Sequence, residues 1–230
     1  MAADTSAIIA AAGSSSRMGG ENKQFLNLCG MPVIARSMLA FQNCEDISEI
    51  ILVAREEDIP QMEKTAKSSG IKKLSAIVTG GGTRQESVVN GLKAVSKETS
   101  MICIHDGARP LIKPELISKT IADARIFGGA TLGVPAKDTV KTVNGGLIVD
   151  TPDRSKLYLI QTPQAFKKSV YFEGVNFALA HGLDFTDDCQ LVESVGIKIC
   201  LTQGDYKNIK ITTPEDIFIA RALMEGMGCV

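Results

Sequence analysis

The sequence predicts an α/β fold in which helices flank a mostly parallel, twisted sheet. Short apolar segments bounded by turn residues recur along the chain, and patterns of helical period lie between most of them. This alternation is typical of parallel strands joined by crossover helices. The apolar segments that we interpret as strands are 7–11, 50–54, 75–78, 101–104, 130–134 and 197–201.

Helix start signals support this interpretation. Pro32 opens a helical pattern over 33–41, and Pro114 opens another over 115–126. Proline suits the first turn of a helix, where its missing N–H is not needed. The run that begins at Thr213 and Pro214 predicts a final helix ending near residue 224, and residues 208–212 before it predict a short strand.

The segment 138–150 departs from the alternation of strands and helices. Residues 138–143 and 147–150 alternate at period two on either side of an Asn-Gly-Gly turn, which predicts a β-hairpin within an arm spanning about 137–155. Because a two-stranded hairpin is marginally stable alone, we expect this protruding arm to pack on another surface. A second copy of the chain, giving a homodimer, is the simplest candidate. Packing of the arm on its own domain is the alternative.

The composition limits the partners and the location. A chain of 230 residues, 44% hydrophobic, suits one domain covering 1–230. With 25 Lys and Arg against 26 Asp and Glu, the net charge of -1 gives no reason to expect nucleic acid or a membrane as partner, so an anion site must be local. The first apolar run is too short for a signal or a membrane span, so we expect a cytoplasmic protein. The six cysteines form no metal or redox pattern, and we expect free thiols.

A glycine- and serine-rich loop follows the first predicted strand, within residues 8–24. Backbone N–H groups in such a loop approach an anion closely, and Arg17 and Lys23 add positive charge, which predicts a triphosphate-binding loop. The two commonest nucleotide patterns do not fit, because Ser15 stands where GxGxxG needs glycine and no Lys-Ser or Lys-Thr pair follows Met18. Tight strand-to-helix packing is the alternative explanation of the small residues.

Two further loops begin where predicted strands end, at residues 80–88 (GGGTRQESV) and 104–110 (IHDGARP). The carboxyl ends of parallel strands share one edge of a sheet, so the first loop and the loop at 80–88 can line one crevice, with the loop at 104–110 on the same edge. In the second loop, Asp106 suits a metal-bound phosphate and Arg109 a second phosphate. A flexible turn at 80–82 and an internal Asp106–Arg109 salt bridge are the alternatives.

Two charged or titratable residues complete the set of candidates. Lys210 lies where the predicted strand 208–212 approaches the crevice, within reach of a phosphate, although lysine at a strand edge also serves solubility. His105 fits a structural histidine better than a general base.

Taken together, these segments resemble the 2-C-methyl-D-erythritol 4-phosphate cytidylyltransferase family over nearly the whole chain. The resemblance rests on ordered motifs: AAAGSSSRM with the following Lys-Gln, GGGTRQESV, HDGARPLI, DTVKTV, QTPQAF, FTDD and NIKITTPEDI. It implies a Rossmann-like fold of the nucleotidyltransferase type. It also implies transfer of CMP from CTP to 2-C-methyl-D-erythritol 4-phosphate, with release of pyrophosphate.

The resemblance further implies roles for individual residues. The catalytic cations at the triphosphate would be Arg17, Lys23 and Lys210. The nucleotide contacts would be Ala11, Ala12, Gly13, Gly81 and Ser87. The contacts to the polyol phosphate would be Asp106, Arg109, Arg154, Thr186 and Thr212.

Among these residues, Arg154 would reach the active site of the dimer partner, and Thr186 is also compatible with a helix N-cap. Mg²⁺ is the expected cofactor, with Asp106 as its candidate ligand. The sequence departs from the family pattern at Ala10, Asn22 and Gly82, where proline, proline and an acidic residue are common.

The chemistry implied by the resemblance needs no general base. A phosphate monoester is largely dianionic at neutral pH because its second pKa is about 6. Stabilisation of the transferring phosphate by cations is then the main requirement. The alternatives are a cytidylyltransferase for ribitol 5-phosphate or another pentitol phosphate and, more remotely, a nucleotide-binding module without catalysis.

Overall fold

The computed structural model describes residues 3–13 and 22–226. Its strands are β1 Thr5–Ala10, β2 Asn27–Leu28, β3 Met31–Pro32, β4 Ile47–Ala54, β5 Leu74–Thr79, β6 Met101–Asp106, β7 Gly129–Pro135, β8 Thr142–Asn144, β9 Leu147–Asp150, β10 Tyr158–Lys167 and β11 Cys200–Gln203. Its helices are α1 Val33–Gln42, α2 Ile59–Ser68, α3 Arg84–Lys93, α4 Pro114–Phe127, α5 Lys168–His181, α6 Asp188–Glu193 and α7 Pro214–Glu225.

The described residues form a central sheet of seven strands in the order β11-β7-β10-β6-β1-β4-β5. The strand β10 runs antiparallel to its neighbours β6 and β7, and the other pairs are parallel. The prediction of a mostly parallel α/β sheet is therefore confirmed. The sequence did not predict β10 as a strand, because Pro163 interrupts it; this proline falls at the irregularity in register between Gln161 and Gln164.

Helices cover both faces of the sheet. On β1, Ala7 and Ile9 belong to one apolar cluster together with α1, α2 and α4, whereas Ile8 belongs to a second cluster with α3, α5 and α6. Side chains alternate between the faces of a strand, so a strand covered on both faces needs apolar residues throughout. This explains the unbroken apolar runs of the sequence.

The segment 208–212 is not a strand, which corrects the sequence prediction. Ile211 is buried in a third apolar cluster with α7 and the short β2–β3 pair, and its N–H donates to the Ala108 carbonyl at 2.8 Å. Apolar packing and several loop hydrogen bonds, among them the one that the Asn208 carbonyl accepts from Arg109, therefore hold the segment in place of a strand ladder. The helix α7 begins as predicted, with a capping box between Thr213 and Asp216.

The predicted arm is present as the β8–β9 hairpin. Gly145 and Gly146 have φ values of 57° and 81°, as a two-residue type I′ turn requires. The first strand is shorter than predicted, because residues 138–141 lie outside it and Asn144 pairs with Leu147. The apolar side chains of β9 are exposed in the isolated chain, Leu147 by 73%, so packing on its own domain does not cover them. Among the described helices, none has the length and apolar character needed to span a bilayer.

Candidate active site

The loops that follow β1, β5 and β6 line one cleft at the carboxyl edge of the sheet, with a volume of about 350 Å³. This arrangement agrees with the expectation that the two glycine-rich loops share a crevice. The residues that line the cleft are Ala10, Ala12, Gly13, Lys23, Gln24, Gly81, Gly82, Thr83, Arg84, Ser87, Asp106, Ala108 and Lys210.

The loop between β5 and α3 packs closely against the first loop. A Cβ atom on Gly80 would lie 2.5 Å from the Cβ of Ala12, so only glycine permits this approach. Thr83 caps α3 by accepting a hydrogen bond from the Glu86 N–H at 3.1 Å. The Glu86 carboxylate in turn accepts from the Gly82 N–H at 2.7 Å. The N-terminus of α3, which carries the partial positive charge of the helix dipole, therefore lies at the cleft wall.

Asp106, at the end of β6, is surrounded by three cations. Its Oδ2 lies 2.7 Å from Lys210 Nζ and 3.8 Å from Arg109 Nε, and its Oδ1 lies 3.7 Å from Arg84 Nε. Burial alone would raise the pKa of Asp106, but these three cations outweigh burial and hold the pKa well below its usual range. The carboxylate is therefore ionised at neutral pH, and the cations around it exceed its charge.

Arg84 is a cleft residue that the sequence reasoning missed. Its Nη1 lies 2.6 Å from Oδ2 of Asp188, and the other oxygen of that carboxylate accepts a hydrogen bond from the Tyr171 hydroxyl at 2.7 Å. Burial lowers the pKa of Arg84, but Asp188 and Asp106 outweigh it and raise the pKa. A sequence signal exists: arginine in the first turn opposes the helix dipole and so calls for a carboxylate partner.

The first loop is described only in part, and Arg17 lies outside the described residues. Lys23 lines the cleft and begins a 3-10 turn that Asn22 caps, with Asn22 Oδ1 accepting from the Gln24 N–H at 3.0 Å. Asn22 also donates to Asp58 at 2.8 Å, so its side chain anchors the turn where the family often has proline. Gln24, also missed from the sequence, is 2% exposed, and its Oε1 has no hydrogen-bond partner among the described residues.

His105 is buried and structural, as its sequence context suggested. Its Nε2 lies 3.2 Å from the Arg109 carbonyl, which can only accept, so Nε2 carries the proton. Its Nδ1 lies 3.0 Å from the Thr162 hydroxyl, which itself accepts from the Asp106 N–H. Burial lowers the pKa of His105 to about 3, so the ring is neutral and both nitrogens are engaged.

Two of the predicted site residues, Ala11 and Arg109, lie next to the cleft but are not among the residues that line it. Ala11 is buried and its N–H donates to the Val53 carbonyl at 2.8 Å. Arg109 donates to the Asn208 carbonyl at 2.7 Å, and its Nε has no hydrogen-bond partner among the described residues. The Asp106–Arg109 ion pair that the spacing suggested is present, but it is one of three around that carboxylate.

Besides Arg109, three predicted polyol-phosphate residues are not among the cleft-lining residues of the isolated chain. Arg154 donates to the Lys137 carbonyl at the base of the arm, at 2.8 Å, and the Thr212 hydroxyl bonds to Asp216 at 2.8 Å. Thr186 is exposed. The helix-cap alternative for Thr186 is wrong, because Asp187 caps α6 through the backbone N–H groups that follow it.

Comparison with known proteins agrees with this architecture. The family model described as IspD, 2-C-methyl-D-erythritol 4-phosphate cytidylyltransferase, matches residues 5–226. The 2-C-methyl-D-erythritol 4-phosphate cytidylyltransferase of Desulforamulus reducens is 44% identical over 97% of both chains. That of Caldanaerobacter subterraneus subsp. tengcongensis is 44% identical over 96% of this chain and 99% of its own.

Solved structures give the same result. The crystal structure of 4-diphosphocytidyl-2C-methyl-D-erythritol synthase from Anaerococcus prevotii superposes with a TM-score of 0.86 at 35% identity, covering 96% of both chains. The cytidylyltransferase structure from Thermus thermophilus superposes with a TM-score of 0.79 at 31% identity, covering 96% of this chain and 98% of its own.

Proposed function

The chain belongs to the 2-C-methyl-D-erythritol 4-phosphate cytidylyltransferase family, and we propose that the cleft at the carboxyl edge of its sheet is the active site. The enzyme transfers CMP from CTP to 2-C-methyl-D-erythritol 4-phosphate, forming 4-diphosphocytidyl-2-C-methyl-D-erythritol and pyrophosphate. The observation that carries the assignment of the site is the convergence of Lys23, Lys210 and Asp106 in one cleft.

The reaction is a displacement at the α-phosphorus of CTP. A phosphate oxygen of the polyol phosphate forms the new P–O bond, and the bond from the α-phosphorus to the bridging oxygen of the β-phosphate breaks. Pyrophosphate leaves with the electron pair, and no proton has to move because the attacking phosphate is already largely dianionic. The neutral His105, whose two ring nitrogens are hydrogen-bonded, supports a mechanism without a general base.

The cationic residues reduce the repulsion between the two anions and stabilise the charge that develops on the triphosphate. Lys23 serves this task from the first loop, and Lys210 serves it from the segment before α7. Arg17 belongs to the same proposal, although it lies outside the described residues. The start of α3 adds partial positive charge to the same cleft.

The nucleoside lies against the two glycine-rich loops, in contact with Ala11, Ala12, Gly13, Gly81 and Ser87. Support comes from the lining of the cleft, which includes all of these except the buried Ala11. The Gly81 N–H is already bonded to Ser87 Oγ at 3.0 Å, so base contacts there would use other backbone atoms.

The polyol phosphate binds beside Asp106 and Arg109, with Thr186 and Thr212 completing the subsite. Support comes from the excess of positive charge around Asp106 and from Arg109 Nε, a buried donor without a hydrogen-bond partner in the described part of the chain.

Magnesium fits this site as an ion that arrives on the nucleotide. The described residues contain no cluster of three or more His, Cys, Asp or Glu side chains that could hold a metal, and Asp106 is the one carboxylate in the described cleft lining. Mg²⁺ keeps several waters and commonly binds through one or two carboxylates and substrate phosphates. Asp106 is the residue that would hold it. When bound, the ion neutralises triphosphate charge.

A homodimer through the arm and a cytoplasmic location complete the proposal. The exposed apolar side chains of β9 need a covering surface, and a second arm supplies one of matching character. In such a dimer, Arg154 would move from its contact at the base of the arm to the partner's cleft. The five described cysteines are free thiols, which supports a reducing compartment; Cys229 lies outside the described residues.

Pyrophosphate release tests the assigned activity and its substrate. Purified protein receives CTP and Mg²⁺ with either 2-C-methyl-D-erythritol 4-phosphate or ribitol 5-phosphate, each at the same concentration. We expect release with the first alcohol phosphate at least 100-fold faster than with the second. Equal release with both, or release with ribitol 5-phosphate alone, would reject the substrate assignment.

A further inference from the structure

Arg84 joins two carboxylates that come from different parts of the fold. Its Nη1 lies 2.6 Å from Asp188 Oδ2 at the start of α6, and its Nε lies 3.7 Å from Asp106 Oδ1 at the end of β6. Its side chain also contributes to the cleft wall. Arg84 is therefore the link between the proposed active-site carboxylate and the α5–α6 region.

The Asp188 end of this link is fixed. Asp188 is 3% exposed, and its Oδ1 accepts the hydrogen bond from Tyr171, whose side chain is fully buried on α5. A buried carboxylate left without its cation is strongly destabilising, so the Arg84–Asp188 pair is strongly favoured. The guanidinium is planar, which means that this contact also sets the direction of its Nε.

The Asp106 carboxylate faces three cations, with Arg84 on Oδ1 and both Lys210 and Arg109 on Oδ2. Oδ1 faces Arg84 and Oδ2 holds Lys210 at 2.7 Å. Rotation of the carboxylate would weaken one contact or both, so the position of Arg84 restrains the carboxylate plane and, through it, the Lys210 ammonium.

We propose that Arg84 is a positioning residue, which fixes the Asp106 carboxylate and thereby places Lys210 for CMP transfer. The inference rests on the proposed function, because it takes Lys210 as a cation at the reacting phosphate. Arg84 acts through Asp106, and its main effect is on turnover and not on the affinity for CTP.

The residues on either side of Arg84 bind the same α5–α6 region independently. Thr83 Oγ1 donates to the Asp184 carboxylate at 3.0 Å. The Gln85 side chain donates to the Leu183 carbonyl and accepts from the Phe185 N–H, both at 2.9 Å. These contacts do not involve the guanidinium, so they hold α3 against this region when Arg84 is replaced.

The test is Arg84→Lys, analysed by steady-state kinetics. Lysine keeps the charge but cannot contact two carboxylates with one planar group. We expect kcat to fall about 10- to 100-fold, as for a small misplacement of a catalytic group, while KM for CTP changes by less than about threefold. Arg125→Lys is the matched control, because Arg125 also pairs with a carboxylate, that of Asp4, away from the described cleft.

A double-mutant cycle with Asp106→Asn distinguishes positioning from a general structural role. If Arg84 acts through Asp106, adding Arg84→Lys to Asp106→Asn lowers kcat by less than about twofold further. If the double variant instead shows a fold-reduction in kcat equal to the product of the two single-variant reductions, the inference is overturned. A kcat for Arg84→Lys within threefold of wild type would also overturn it. A raised KM for CTP with unchanged kcat would also overturn it, because Arg84 would then contact the nucleotide directly.

A second variant covers the case in which Arg84→Lys does not fold. Asp188→Asn keeps the size and the acceptor for Tyr171 but removes the charge that holds Arg84, and we expect the same fall in kcat. Unchanged kcat in Asp188→Asn would count against the inference. Absence of turnover in the wild-type enzyme would instead reject the proposed function, which keeps the two failures distinct.

Discussion

Replacement of Lys210 by methionine separates the catalytic role of this residue from its role in the fold. Lys210 Nζ lies 2.7 Å from Asp106, and the lysine side chain is 39% exposed. Ion pairs this exposed contribute about 1 kcal/mol or less to stability. Asp106 also keeps Arg84 at 3.7 Å and Arg109 at 3.8 Å, so the variant leaves no buried charge unpaired. The free energy of unfolding should fall by no more than about 1 kcal/mol.

The expected effect on turnover is much larger. Two unit charges about 4 Å apart attract by roughly 4 kcal/mol at an effective dielectric constant of about 20. Removal of one donor that stabilises developing charge typically costs about 10²–10³ in kcat, or about 2.7–4 kcal/mol. We therefore expect Lys210→Met to lower kcat by this factor, because the ammonium assists the transferring phosphate and is not needed for folding.

The assay measures pyrophosphate release at saturating CTP and alcohol phosphate, together with urea unfolding of the same preparations. Lys207→Met is the matched control, since it removes a nearby lysine that is not among the described cleft-lining residues. A kcat of Lys210→Met within threefold of wild type would refute the reasoning. So would a loss of stability large enough to account for the lost activity.

Three other perturbations bear on pH dependence, the metal and the arm. Burial lowers the pKa of His105 to about 3 in the folded protein, whereas histidine in the unfolded chain has a pKa of about 6.5. Between these two values only the unfolded chain binds a proton at this residue. The free energy of unfolding therefore falls by about 1.4 kcal/mol for each unit by which the pH decreases below about 6.5. His105→Gln should remove this contribution from the pH dependence of the free energy of unfolding, measured by urea titrations between pH 4.5 and 6.5. An equal pH dependence in His105→Gln and wild type would contradict the prediction. His181→Gln, at an exposed site, is the control. Excess EDTA should abolish pyrophosphate release and added Mg²⁺ restore it, whereas undiminished release would exclude the metal. If the proposed arm-mediated dimer forms, Leu147→Glu should convert it to a monomer in sedimentation velocity, whereas Ile126→Glu, on α4 and 71% exposed, should not. A wild-type monomer or a Leu147→Glu dimer would reject the arm interface.

The fold could largely be predicted because its strands are covered on both faces. Runs such as residues 50–54 of β4 are apolar throughout and stand out in the sequence. The exceptions have local causes. Pro163 concealed β10, because proline within a pattern argues against a strand. The segment 208–212 reads as a strand, but burial of Ile211 against α7 decides its conformation, and this packing is not visible in a short window of sequence.

The site could be predicted in part, for a similar reason. Asp106 and the glycine-rich loops follow strands, and the rule that strand ends share an edge brings them together. Arg84 was missed because its partners Asp188 and Tyr171 come close only when α5 and α6 pack on the sheet. Gln24 was missed because its significance lies in burial without a hydrogen-bond partner among the described residues, which a sequence does not reveal.

A crystal structure of the enzyme with CTP and Mg²⁺ would show whether the two lysines converge on one nucleotide. We expect Lys23 Nζ and Lys210 Nζ both to lie within hydrogen-bonding distance of phosphate oxygens of a single CTP in this cleft. Binding of CTP at another surface, or a complex in which either ammonium points away from the triphosphate, would rule out the proposed site.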